Sequence, residues 1–146
     1  MARKYLQGRF VPKNPKKYIG DVDNIIYRSS WELKAFKWAD THPAVTQWNS
    51  EEFIIPYYSP VDNKMHRYFV DMAVIIQKGD AFKKYLIEIK PDAQTKPPVK
   101  RSKKTNKYIE EIATYTVNQA KWAAADSFCK KNNMEFIVLT EKHLFG

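Results

Sequence analysis

The sequence predicts an α+β fold in which one mixed sheet is flanked by helices. Two observations carry this. Stretches with helical and strand periodicity follow one another in the order helix, three strands, helix, strand. A chain of 146 residues that is 44% hydrophobic and 14% aromatic is also large enough for one real core.

The elements read in order as follows. The first twenty residues carry Gly8, Pro12, Pro15 and Gly20 among cations, so residues 1–24 are set apart as a basic N-terminal arm and residues 25–146 as a single domain. "NIIYRSS" is a short strand or turn, and "SWELKAFKWADT" is a helix that stops before "HPAV", because a proline disfavours helix at the residue before it. "VTQWNSEEFIIPYY" is extended, and "SPVDNK" is a turn. "HRYFVDMAVIIQ" and "FKKYLIEIK" are strands joined at "KGDA", followed by the loop "PDAQTKPPVKRSKKTN". "KYIEEIATYTVNQAKWAAADSFCKK" is a long helix ended by "NN", and "EFIVLT" is the last strand, free to return beside an antiparallel meander.

Charge narrows the class of partner. The net charge is +9, and the cations cluster at Arg3, Lys4, Arg9, Lys13, Lys16 and Lys17, then again at Lys96, Lys100, Arg101, Lys103, Lys104 and Lys107. Clustered cations among aromatics suit a polyanion, above all nucleic acid. No apolar run approaches the ~18 residues of a membrane span, and the basic start lacks the apolar stretch of a signal peptide. The single Cys129 excludes an internal disulfide and suits a reducing, intracellular setting.

The second hairpin can be read for register. Gly79-Asp80 suits a two-residue loop with glycine first. That loop sets Asp71 opposite Glu88 and Phe69 opposite Lys90 on neighbouring strands. Alternation puts Glu88 and Lys90 on one face, with Tyr85, Ile87 and Ile89 on the other. Asp71, Glu88 and Lys90 thus converge on one patch, which Phe69, Ala73, Ile75 and Leu86 make mostly apolar. Opposed like charges destabilise a sheet. Either the two acids are hydrated beside a compensating lysine, or a divalent cation such as Mg²⁺ or Mn²⁺ holds them through oxygen.

A third carboxylate comes from the first helix. Ser29-x-x-Glu32 is a capping box. By helical phase Glu32 falls inside the apolar arc of Trp31, Ala35, Phe36, Trp38 and Ala39, while Lys34, Lys37, Asp40 and Thr41 take the other side. A carboxylate aimed at a core needs a partner. The cap and a shared metal are both available to it.

A helix glutamate, a strand aspartate and Glu-x-Lys on the next strand resemble the PD-(D/E)xK nuclease superfamily, with its restriction-endonuclease-like αβββαβ core. The closer likeness is to the TnsA-type transposon endonucleases, whose pattern runs "RSxxE", an aromatic strand ending near "YxPDF", then "ExK". Here "RSSWE" stands at 28–32, "HRYFVDM" at 66–72 and "IEIKP" at 87–91, with Val70 where that family has proline. The likeness covers about residues 25 to 140. It implies a Mg²⁺- or Mn²⁺-dependent DNA endonuclease, with Asp71, Glu88 and Glu32 as metal carboxylates and Lys90 as the catalytic lysine. The whole chain also resembles the small head completion nucleases of T4-type bacteriophages. That likeness implies phage DNA as substrate after packaging, head, portal or packaging proteins as partners, and the host cytoplasm or the virion head as location. A structural, non-catalytic DNA-binding head component on the same fold is the alternative.

Other residues are weaker candidates. Gln119 and Lys121 lie on the long helix, from which related nucleases often send a polar residue to the site; a solvated helix face serves equally. Arg28 can contact a phosphate or pack by the cap. His66 has the strand parity of Tyr68 and Val70, opposite to Asp71, and is expected to take no direct part. Lys96 to Lys107 adjoin the Glu-x-Lys strand and form the expected clamp on the DNA backbone. A lone nuclease domain often needs a partner or a homodimer for double-strand cuts, so either is expected here.

Overall fold

The structure, a computed structural model, describes residues 5–145; the expected cations Arg3 and Lys4 lie outside them. Strand β1 (Tyr5–Arg9) pairs antiparallel with β2 (Ile26–Ser29), which runs straight into helix α1 (Ser30–Thr41). The Ser29 hydroxyl accepts from the Glu32 backbone N–H at 3.1 Å, so the chain leaves the strand and caps the helix within one residue. At the other end His42, ahead of Pro43, is extended at φ −73° and ψ 125°, and α1 stops.

The main sheet has the order β3 (Val45–Ser50), β6 (Met72–Lys78), β7 (Ala81–Ile89), β8 (Met134–Leu139). Strand β6 is antiparallel to both neighbours, and β8 lies parallel to β7 after the crossover helix α2 (Asn106–Lys131). A mixed sheet between helices is therefore present, as expected. One face carries Met72, Val74, Ile87 and Ile89 against Trp31 and Phe36 of α1. The other carries Ala73 and Leu86 against Trp122, Ala125 and Cys129 of α2. The β6–β7 register has Met72 opposite Ile87 and Lys78 opposite Ala81, the pairing read from the loop chemistry. Gly79 takes the left-handed φ of 61° at the first loop position, as the glycine-first turn requires.

The strand expected over "HRYFVDMAVIIQ" is two strands. Strand β5 (Lys64–Phe69) pairs with β4 (Ile54–Ser59) as a separate ribbon, and β6 begins only at Met72. The cause is a bulge. Between the pairs Ser50–Met72 and Ile54–Phe69, residues 51–53 face only residues 70 and 71. Glu51 absorbs the mismatch in the left-handed region at φ 58°. An odd residue inverts the faces beyond it. Phe69 therefore pairs with Ile54 and is 45% exposed, and the expected pairing of Phe69 with Lys90 does not form.

In the N-terminal segment, residues 5–24 lie against the rest of the domain. Phe10 and Tyr18 are buried, and Phe10 meets Phe36 and Trp48 edge-on. Asp40, placed by helical phase on the polar side of α1, is 1% exposed. Its carboxylate accepts from the backbone N–H groups of Lys13 and Asn14 at 2.8 and 2.9 Å, so it fastens this segment to the helix end. A short helix α3 (Glu141–Phe145) follows β8, beyond the elements that the sequence pattern predicts.

Candidate active site

The site lies at the carboxyl end of β7, where the bent ribbon rejoins the sheet. Glu88 is the penultimate residue of β7 and is 5% exposed. Its register partner is Asp71, the residue just before β6, by extension of the observed pairing. One Asp71 carboxylate oxygen accepts from the Ile89 backbone N–H at 2.8 Å. Asp71 and Glu88 lie close enough for the charge of one to bear on the other. The Lys90 ammonium is 3.5 Å from the second Glu88 oxygen, with its side chain 21% exposed. Continued pairing holds Lys90 in place, since its backbone N–H donates to the Leu139 carbonyl at 2.9 Å.

The electrostatics follow from burial. Desolvation, then the facing Glu88, pushes the Asp71 carboxyl well above the usual carboxylate range. The Ile89 N–H opposes that push and the charge of Glu32 adds to it.

Sequence reasoning missed Tyr68. Its hydroxyl donates to Glu88 at 2.8 Å, so Glu88 is held between a phenol and an ammonium. Desolvation and the charge of Glu88 raise the Tyr68 hydroxyl far above its usual range, and it remains a donor. Period-2 counting along an unbroken strand puts Tyr68 on the wrong face. The available signal is length: strands average about 5–6 residues, so a break inside "HRYFVDMAVIIQ" is the better expectation.

Glu32 stands beside this pair. It is 8% exposed, and Oε1 accepts from the Arg28 backbone N–H at 3.1 Å, so its capping role is present, displaced by one residue from the usual box. Among the described residues no three His, Cys, Asp or Glu side chains gather into one metal-holding cluster. The charge of Glu32 bears on Asp71 and raises its carboxyl further. The Arg28 guanidinium pairs with Glu51, whose backbone N–H donates to the Asp71 carbonyl at 3.3 Å. Arg28 is thereby tied to the bulge that carries Asp71.

On α2, Lys121 lies 5.6 Å from the Tyr68 ring centre and 5.9 Å from that of Tyr57, one side chain away from Glu88. Gln119 is exposed. His66 pairs with Asp62 at 2.7 Å. Asp92 to Thr95 form a single 3-10 turn after Lys90, and the basic loop follows it. In that loop Lys96 is paired with Asp92, Arg101 with Glu111, and Lys100, Lys103, Lys104 and Lys107 are exposed.

The donor set fits a divalent cation. A half-buried and a buried carboxylate set side by side repel when ionised, and a cation between them offsets that repulsion. Mg²⁺ is commonly held by one or two carboxylates plus water and substrate phosphate, so a pair without a third ligand is sufficient.

Comparison with known proteins identifies the family. The family described as TnsA-like endonuclease N terminal matches residues 42–141, a span that contains Asp71, Glu88 and Lys90 and leaves out Glu32. The chain is 42% identical over 141 residues to the head completion nuclease of Enterobacteria phage T4, across 94% of this chain and 92% of that one. No solved structure matches it. The chain belongs to the TnsA-like endonuclease N-terminal family.

Proposed function

We propose that this endonuclease hydrolyses phosphodiester bonds in DNA with a divalent cation, Mg²⁺ or Mn²⁺, held by Asp71 and Glu88. The observation that carries the reading is the facing pair of half-buried Asp71 and buried Glu88, with the Lys90 ammonium 3.5 Å from Glu88. A bound cation supplies Lewis acidity and an acidified water. The chain's own residues do the rest. Tyr68 and the Ile89 N–H fix the two carboxylates. Lys90, on the same strand face, orients the attacking water and offsets charge on the phosphate. Glu32 keeps the pocket negative, which favours cation over proton. The exposed cations after Lys96 hold the DNA backbone.

The similarity to the T4 head completion nuclease supports phage DNA as the substrate, cut during head completion in the host cytoplasm. Purified protein should convert supercoiled plasmid to nicked circles when Mg²⁺ is added and stop when it is chelated. Asp71→Ala is the control. Equal nicking by that variant would remove the assignment.

A further inference from the structure

The ribbon of β4 and β5 has two unlike faces. On one, Ile55, Tyr57 and Tyr68 are buried in the core that α2 covers. On the other, the cross-strand pairs are Ile54–Phe69, Pro56–Arg67 and Tyr58–Met65. All six of these side chains are exposed. Ile54, Tyr58, Met65 and Phe69 are between 45% and 63% exposed. An antiparallel ribbon with one face packed normally turns polar side chains to water on the other. Contiguous apolar surface left in water marks an interaction site.

The chemistry of the face narrows the partner. It carries no acid, and its one charge is Arg67. The Arg67 guanidinium lies 5.6 Å from the centre of the Phe69 ring. At the far end the Tyr58 hydroxyl donates to Asn63 at 3.1 Å, which holds that ring in place. Rings and a guanidinium spaced along a strand match the π-faces of nucleic-acid bases. Bases offer those faces only where they are unstacked. The outside of a duplex is phosphate, which calls for cations such as those after Lys96 and has no use for rings. A second copy would bring another guanidinium to the same face, with no acid on either to meet it.

Position points the same way. Phe69 stands two residues ahead of Asp71, and its neighbour Tyr68 donates to Glu88 at 2.8 Å. The face therefore starts beside the candidate active site and runs out to the turn at residues 60–63.

We propose that the outward face of the β4–β5 ribbon binds unpaired bases of the DNA substrate, so that single-stranded or frayed DNA is favoured next to the cut. The link to cleavage rests on the nuclease reading above; base binding is tested without metal.

The metal-free full chain is titrated into three fluorescein-labelled probes and followed by anisotropy. They are a single strand of mixed sequence, an abasic strand of the same length, and a blunt duplex. The intact single strand should bind about tenfold or more tighter than the abasic strand, which keeps the phosphates and lacks the bases. The double variant Tyr58→Leu, Phe69→Leu keeps apolar side chains at two exposed positions and removes both rings. It should lose about tenfold or more in affinity for the intact strand and bind the abasic strand and the duplex as wild type does. Equal affinity of wild type for intact and abasic strands, undiminished binding of the intact strand by the variant, or an equal loss on all three probes would overturn the proposal. So would a dimer in analytical ultracentrifugation that the double variant dissolves, since a second copy would then own the face. Base-dependent binding without any metal-dependent nicking would fail the nuclease reading alone and leave the base site standing.

Discussion

At Asp71 the conflict between charge and burial is sharpest. Burial first, and Glu88 second, keep its proton on well above the ordinary carboxylate range. In metal-free protein the folded state holds a proton that the unfolded chain releases near pH 4. Stability from this group is full below that pH and is lost as pH rises through the raised folded value. Asp71→Asn cannot ionise. Its metal-free melting temperature should fall less than that of wild type between about pH 5 and pH 8 and should match or exceed it at pH 8; a steeper fall in the variant would show that Asp71 is not the strained group. Glu32 separates differently. Glutamine can still accept from the Arg28 N–H, so Glu32→Gln should melt near wild type yet nick plasmid at least ten times more slowly. Wild-type activity in that variant would reduce Glu32 to a cap.

Elements explain what was legible and what was not. The capped helix α1, the β6–β7 register and the long helix α2 follow from local chemistry: Ser29 before a helical pattern, Gly79 at a tight turn, and an apolar stripe. Those three bring Asp71, Glu88 and Lys90 together, so most of the candidate site could be read from the sequence. The bulge could not. It depends on residues 51–53 facing residues 70 and 71, a non-local mismatch that no window on one strand contains. Asp40 was misplaced for a related reason, because its partners, the Lys13 and Asn14 amides, lie far back in the chain. The β4–β5 ribbon is what the bulge adds to the site, since it delivers Tyr68 to Glu88. Tyr68→Phe removes that hydrogen bond and keeps the ring in its packing with α2. A bond to a charged group is worth roughly 1.5–3 kcal/mol, so nicking should slow about tenfold or more while DNA affinity holds. An unchanged rate would make the ribbon a mere scaffold.

For the whole molecule, the +9 charge has to reach the DNA somewhere. The loop from Lys96 to the start of α2 presents Lys100, Lys103 and Lys104 to solvent, just past the strand of Glu88 and Lys90. Neutralising Lys100, Arg101, Lys103 and Lys104 together should weaken binding to all sequences alike. It should also flatten the salt dependence, by about 0.9 in the log–log slope for each phosphate no longer neutralised. A binding titration across salt concentrations reads this directly, and an unaltered slope would move the footprint to the cations among residues 9–17. The claim on which the rest depends is that the Asp71–Glu88 pair holds a divalent cation. Titrating Mn²⁺ into the metal-free protein and reading free Mn²⁺ by electron paramagnetic resonance tests it most directly. Wild type should bind Mn²⁺ saturably, and Glu88→Gln should lose that binding; an identical isotherm in the variant would contradict the account.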